Sequence, residues 1–260
     1  MRCAGTSTPA LLSPIDRAEQ RRTLGLSGSL PFVGEDVWNC YELSWLTARG
    51  IPAVGVLRIR VPCTTPATVE SRSLKRYLNA FSQQVFPDKA DVLAVIHEDL
   101  GRLFGASANV SLLELRDAER SHVPPGESLD GEEVNVEAYE RASAVLDGAC
   151  GDRVVEESVY TDLFASLCPV TGWPDWASVL ISYRGPEIDR RRLLRYLVSY
   201  RRHRGFHEAV VEQMFVDIKA RCGCERLTVD GRFLRRGGVD INPFRSTHLP
   251  EAPPLRLARQ

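Results

Sequence analysis

Cys168 and Asp175 stand at either end of Pro169-Val170-Thr171-Gly172-Trp173-Pro174, a stretch whose prolines and glycine fix the backbone. A turn of that composition sets the approach of two side chains that distance in sequence alone would leave free. A free thiol has a pKa of about 8.5, so only a few per cent is thiolate at neutral pH unless something activates it. A neighbouring carboxylate does not help while it is ionised, because two like charges ~4 Å apart repel by roughly 4 kcal/mol at an effective dielectric near 20. The pair more sensibly shares one negative charge, as thiolate with neutral acid or thiol with carboxylate. That arrangement suits a nucleophile with a proton donor at its side. The plainer account makes Cys168 a small buried hydrophobe and Asp175 a turn or cap residue.

Two further groups of residues bear on the same chemistry. His207, followed by Glu208, opens a helical pattern, and His207-Glu208-Ala209-Val210-Val211 lacks the second histidine of a zinc-protease motif. A neutral imidazole there can instead donate or shuttle a proton near physiological pH. Glu70 and Glu208 each fall at the expected start of a helix, where a carboxylate meets the positive end of the dipole, so capping accounts for both. Two carboxylates are also what a guanine-like edge requires, since its ring N–H and exocyclic amine are donors seeking acceptors. Ser71, Arg72, Ser73 and Lys75 add two cations and two hydroxyls to the first turns of the Glu70 helix. With the helix N-terminal amides they make a phosphate site. An ordinary polar helix start with a solvated basic face explains them equally well.

The elements that must position these residues occur twice. Trp38 to Leu46 and Ala53 to Val61 read as strands around the turn Arg49-Gly50-Ile51-Pro52, with Leu57, Ile59 and Val61 alternating against Arg58 and Arg60. Helical spacing runs from about Glu70 through Leu74, Tyr77, Leu78 and Phe81, then, beyond Pro87, through Val92, Ile96, Leu100 and Leu103. Asn109 to Leu115 is expected as a strand. The second half repeats the order, with strands at Val154 to Tyr160 and Ser178 to Tyr183. One helix carries Leu193, Leu194, Leu197 and Val198, the next Val210, Val211, Met214, Phe215 and Ile218, and a closing strand spans Arg226 to Phe233. This shared grammar of strand, strand, helix, helix, strand implies an internal duplication.

Antiparallel sheets with paired helices on one face define an α+β fold. A doubly wound nucleotide-binding fold is disfavoured, because strands do not alternate singly with helices and no Gly-x-Gly-x-x-Gly follows one. The expected organisation is a loosely held segment over residues 1–30, an N-terminal module over 31–117, a linker over 118–152 and a C-terminal module over 153–260. The linker is rich in Glu, Asp, Pro and Gly, with room for a short helix between Val134 and Val145.

Composition narrows the function. Within 260 residues, 33 basic and 34 acidic side chains give a formal net charge of -1, so the total exerts no long-range pull toward nucleic acid or membrane. Ala10-Leu11-Leu12 is soon broken by Pro14, Asp16 and Arg17, and no run is long and apolar enough to span a bilayer, so a cytoplasmic protein is expected. Cys3, Cys40, Cys63, Cys150, Cys168, Cys222 and Cys224 form an odd, irregular set that argues for reduced thiols. Cys222-Gly223-Cys224 has no second pair at zinc-finger spacing and no His at i+3 or i+4, so no metal is expected. Arg190, Arg191, Arg192, Arg195, Arg201, Arg202 and Arg204 could form a basic RNA-binding surface. The stripe through Leu193, Leu194, Leu197 and Val198 explains the same segment as an amphipathic helix with a solvated outer face.

Four motifs in order carry a family resemblance. They are Glu70-Ser71-Arg72-Ser73-Leu74-Lys75, Cys168-Pro169-Val170-Thr171 ending in Pro174-Asp175, Phe206-His207-Glu208, and Arg235-Arg236-Gly237-Gly238-Val239-Asp240-Ile241-Asn242-Pro243. From about Trp38 to Ser246 the chain resembles the 7-cyano-7-deazaguanine reductases, the nitrile reductases called QueF, of the long two-module class. The resemblance implies tandem tunnelling-fold modules, usually within a homodimer. It also implies reduction of 7-cyano-7-deazaguanine to 7-aminomethyl-7-deazaguanine with two NADPH, a step toward the tRNA base queuosine. On this reading Cys168 adds to the nitrile carbon to give a covalent thioimide, Asp175 supplies a proton to nitrogen, and His207 assists the protonation steps. Glu70, Glu208 and Phe206 hold the base, while Ser71, Arg72, Ser73, Lys75, Arg236 and Gly237 face the cofactor. The partner is a small-molecule deazaguanine nitrile, with no membrane and no direct nucleic-acid contact.

Two positions depart from the family pattern. Arg72 stands where Lys is usual, keeping the charge but presenting a planar fork. Trp173 precedes Pro174 where Gln is common, which repacks the loop or alters access to Cys168. Among other readings, a GTP cyclohydrolase-like enzyme needs a zinc site of Cys and His that this sequence does not offer. A tRNA-directed amidinotransferase would share the Cys and Asp without needing Ser71 to Lys75, and a non-enzymatic RNA-binding protein would rest on the arginines alone.

Overall fold

A computed structural model describes residues 8–115 and 121–260. Its backbone contacts divide the chain into two compact units, each drawn from three stretches: 8–28, 36–115 and 235–240 in the first, 29–35, 121–234 and 241–260 in the second. Stretches that sequence order would place in separate modules are thus interleaved.

The first unit contains β1 (Pro14–Asp16), α1 (Arg17–Thr23), most of β2 (Val33–Leu46), β3 (Pro52–Pro62), β4 (Ala67–Val69), α2 (Ser71–Asn79), α3 (Lys89–Phe104) and β5 (Asn109–Leu113). β5, β3 and β2 are neighbours in that order, with Val56 of β3 opposite Leu113 of antiparallel β5, while β1 and β4 form a separate antiparallel pair. Alternation dictates the faces: Leu57, Ile59 and Val61 are fully buried, and Arg58 and Arg60 between them are half-buried. α2 buries Leu74, Tyr77 and Leu78, and α3 buries Val92, Ile96, Leu100 and Phe104. The Tyr77 hydroxyl donates to the buried Asp99 carboxylate of α3 at 2.8 Å, tying the two helices together.

The expectation of a loosely held N-terminal segment does not survive for its described part. Asp16 caps α1, its carboxylate accepting the Ala18 amide at 2.7 Å. The buried Arg17 guanidinium pairs with the buried Asp36 carboxylate, and Arg21 donates to the Cys63 carbonyl at 2.7 Å. A polar stretch with several arginines reads as solvated in sequence, yet two of these guanidinium groups are buried against specific acceptors.

The second unit contains β6 (Glu127–Ser128), β7 (Cys150–Leu167), β8 (Pro174–Ile188), α4 (Arg190–Val198), α5 (His207–Cys222), β9 (Arg226–Phe233) and most of β10 (Val239–Ser246). β10, β9, β8 and β7 run antiparallel in that order, and β6 adds in parallel beside β7. Val159, Val179, Ile181, Tyr183, Leu227, Val229 and Phe233 make a buried apolar face. α5 packs on β8 and β9 with Val210, Val211, Met214, Phe215 and Ile218, and α4 packs on β7. The opposite face is polar, with Ser158–Ser182 and Thr228–Ser246 hydroxyl pairs each at 2.8 Å.

Three details differ from expectation here. β7 and β8 are far longer than their apolar runs, and Phe233 does not close the sheet, because β10 follows. Gly, Asn and Pro in the Arg235–Pro243 motif mask its strand character. Residues 121–149, expected as linker, pack within the second unit. Leu129 and Leu146 are fully buried, and the Arg141 guanidinium grips Asp217 of α5 with two bonds of 2.9 Å. A short 3-10 turn, Ser143–Leu146, stands near the helix allowed there. No helix among the described residues is long and apolar enough to cross a membrane.

Candidate functional site

β7 and β8 form a hairpin whose tip carries the thiol. The Cys168 amide donates to the Trp173 carbonyl and the Gly172 amide donates to the Cys168 carbonyl, each at 2.9 Å. Pro169 presets φ at the first turn position, and Gly172, at φ +71°, takes the left-handed position that closes the turn. The hairpin root is clasped separately, with the Leu167 amide on the His203 carbonyl at 2.8 Å and the Gly205 amide on the Leu167 carbonyl at 3.1 Å. This clasp delivers the start of α5 beside the hairpin tip. Asp175 pairs in register with Ser166, two residues before Cys168, so thiol, hydroxyl and carboxyl emerge on one face. Cys168 is 8% exposed and Asp175 6%.

His207 is the first residue of α5, and its Nε2 lies 3.3 Å from Asp175 Oδ2. Its ring stacks on Phe233 with centroids 3.9 Å apart and planes inclined by 11°. Nδ1 is buried without a hydrogen-bond partner among the described residues, and Nε2 is the nitrogen that faces Asp175. Glu208 is buried in the same first turn, and half-buried Phe206 occupies the N-cap position without a side-chain cap.

A second cluster lies in the first unit. Glu70 caps α2 with both carboxylate oxygens, accepting the Arg72 amide at 2.8 Å and the Ser73 amide at 2.7 Å. The buried Ser73 hydroxyl donates to the Glu70 carbonyl at 2.7 Å and accepts the Ser13 amide at 3.0 Å. Ser73 therefore sits behind the helix start, whereas Ser71 is half-buried and Arg72 exposed.

Lys75, one turn further along α2, has its ammonium pKa lowered, first by burial and then by Arg236, with Glu70 acting in the opposite sense. Arg236 opens a tight turn in which its amide donates to the Val239 carbonyl at 3.0 Å and Gly237 and Gly238 take φ of +58° and +71°. A Cβ on Gly237 would approach Lys75 Nζ to 3.2 Å, so the bare glycine leaves room beside the ammonium. Asp240 braces this turn by accepting the Asn39 amide group at 2.8 Å and the Tyr41 hydroxyl at 2.7 Å. Arg72, Lys75 and Arg236, together with an open glycine cradle, fit a phosphate-bearing cofactor.

Of the residues singled out from sequence, Cys168, Asp175, Phe206, His207 and Glu208 fall in the second unit and Glu70, Ser71, Arg72, Ser73, Lys75, Arg236 and Gly237 in the first. Sequence reasoning missed Ser166 and Phe233. Ser166 shares strand parity with Cys168, which could have found it, and its buried hydroxyl has no hydrogen-bond partner among the described residues. Phe233 carried no such signal, because its role as the plate under His207 depends on how β9 meets α5.

A thiol and a carboxyl on one braced hairpin, with the imidazole of an adjoining helix start beside the carboxyl, are what an enzyme with a cysteine nucleophile and its own proton carriers requires. The chain belongs to the QueF family of nitrile reductases. Residues 4–112 match the family described as nitrile reductase, 7-cyano-7-deazaguanine-reductase N-term, and residues 174–252 match QueF-like protein. The NADPH-dependent 7-cyano-7-deazaguanine reductase of Desulfotalea psychrophila is 48% identical over 259 residues, covering 98% of this chain and 93% of the relative. Its namesake in Chromohalobacter salexigens is 48% identical over 253 residues, covering 96% and 91%, and that of Bordetella avium 46% over 254 residues, covering 96% and 93%.

Proposed function

We propose that this chain reduces 7-cyano-7-deazaguanine to 7-aminomethyl-7-deazaguanine at the expense of two NADPH, on the way to queuosine in tRNA. The observation that carries this reading is Cys168 and Asp175 on one hairpin with His207, from the start of α5, 3.3 Å from Asp175, in a chain that shares nearly half its residues with reductases of that name. Cys168 Sγ adds as thiolate to the nitrile carbon while Asp175 gives its proton to the nitrogen, and the product is a neutral covalent thioimide. His207, with Nε2 at 3.3 Å, restores the proton that Asp175 has given. NADPH, when bound, supplies one hydride at each of two reduction stages. Between them the bond to Cys168 breaks, the thiolate is expelled and an imine remains. Water would hydrolyse that imine, so a site with Cys168 and Asp175 each under a tenth exposed favours its retention. Two hydrides, carrying four electrons, and two protons convert nitrile to amine.

In the same reading Glu70, Glu208 and Phe206 hold the base. Ser71, Arg72, Lys75, Arg236 and Gly237 receive the cofactor phosphates, and Ser73 fixes the helix start behind them. The units correspond to tunnelling-fold modules, and the working form is a cytoplasmic homodimer. An RNA-binding role fits less well, because Arg190 bonds Glu127 at 2.5 Å and Glu157 at 3.0 Å, Arg191 pairs with Glu132, and Arg201 lies over Trp176. An amidinotransferase leaves the Lys75 cradle without a task.

The test is loss of NADPH absorbance when purified protein meets the nitrile. Oxidation of two NADPH per nitrile is expected, with no covalent adduct and no turnover in Cys168→Ala. A folded wild-type protein that oxidises none would refute the function, and normal turnover by the variant would remove Cys168 from its role.

A further inference from the structure

Trp173 is 69% exposed, although it adjoins a thiol that is 8% exposed. The hairpin register gives its direction. Leu167 pairs with Pro174 and Ala165 with Trp176, and these four side chains line one cavity of about 420 Å³ together with Tyr139, Arg201 and Arg202. Side chains alternate along a strand, so Asp175 projects from the other face, the face of Ser166, and Trp173 stands two residues before it, in the turn just ahead of β8. Trp173 is also the residue bonded across from Cys168, through the Cys168 amide and its own carbonyl at 2.9 Å. Directly opposed residues of a hairpin hold their Cβ atoms about 5 Å apart, and these two, joined by that one bond just past the last register pair of Leu167 and Pro174, continue the hairpin into its turn. The backbone under the indole is fixed as well: Thr171 Oγ1 accepts the Trp173 amide at 3.3 Å, and Pro174 keeps its predecessor extended.

We propose that Trp173 is a stacking platform for the fused heteroaromatic ring of the bound nitrile and sets the affinity of this enzyme for it. The inference rests on the function proposed above. A thiol that bonds to a carbon attached directly to the ring brings that ring within one substituent's length of Cys168, and therefore within reach of its cross-strand neighbour. An indole stacks on any flat heterocycle whatever its edge pattern, so it contributes affinity while buried carboxylates select the edge. Stacking of this kind acts before and during the covalent stage alike. It therefore appears in KM rather than in kcat.

The experiment begins with the wild type, because absence of NADPH oxidation there would sink the function itself, separately from any difference between variants. Given turnover, Trp173→Ala should raise KM for the nitrile roughly tenfold while kcat and KM for NADPH stay within about twofold, and Trp173→Phe should recover most of the loss. A direct reading comes from tryptophan emission: the nitrile should quench it in Cys168→Ala, and the quenching should largely vanish in Cys168→Ala combined with Trp173→Phe. An unchanged nitrile KM in folded Trp173→Ala would overturn the proposal. So would a rise confined to KM for NADPH, or a change in oligomeric mass by light scattering, which would assign the indole to the cofactor or to a subunit contact.

Discussion

Lys75 has to stay charged if it is to meet a phosphate, and its surroundings work against that. Burial and then Arg236 hold its pKa below the ordinary 10.5. The ammonium is thus lost at a lower pH than in a free lysine, and affinity for NADPH should fall as the pH rises through that lowered value. An anion bound beside Lys75 favours the charged form, so binding on the alkaline side should take up a proton. Lys75→Arg remains charged throughout and should flatten the alkaline fall, which NADPH titrations followed by its fluorescence from about pH 7 to about pH 10 can measure. An equal fall in both proteins would remove Lys75 from the cofactor site. At this scale much was legible, because Cys168, Asp175 and His207 announce themselves by type and setting. Ser73 did not: its inward hydroxyl depends on the Ser13 amide, 60 residues away, which no local pattern records.

Helix α2 starts on a two-pronged cap. Both Glu70 oxygens take amides of that turn, so Glu70→Ala should cost about 1 kcal/mol of stability as a lost cap, read from urea unfolding, and Glu70→Asp should restore most of it. No loss in the alanine variant would show that the cap contributes nothing. Elements with a strong period, such as β3, α2 and α3, could be read directly from residues like Leu57, Ile59, Leu74 and Ile96. The full length of β7 and β8 could not, because their ends are held by pairing with each other and not by apolar alternation. Near Cys150 and Leu167, register and clasp supply what side-chain pattern lacks.

The whole molecule is less modular than its repeated grammar implied. A repeated order of strands and helices is legible in the sequence, but the return of residues 235–240 to the first unit is not, since it depends on contacts between residues such as Asn39 and Asp240. Residues 1–119 made alone would leave Asn39 and Tyr41 without the Asp240 carboxylate and Lys75 without its glycine cradle. Such a fragment should give no cooperative urea transition, and adding residues 120–260 should restore one. A sharp transition for the fragment alone would contradict this. The same return shapes the birth of the protein. Tyr41 donates its amide to the carbonyl of Gly238, a residue synthesised almost 200 positions later. At roughly 5–20 residues per second, that strand edge waits on the order of ten to forty seconds for its partner. The nascent chain therefore emerges with that edge open beside Leu43 and Trp45 until Gly238 arrives.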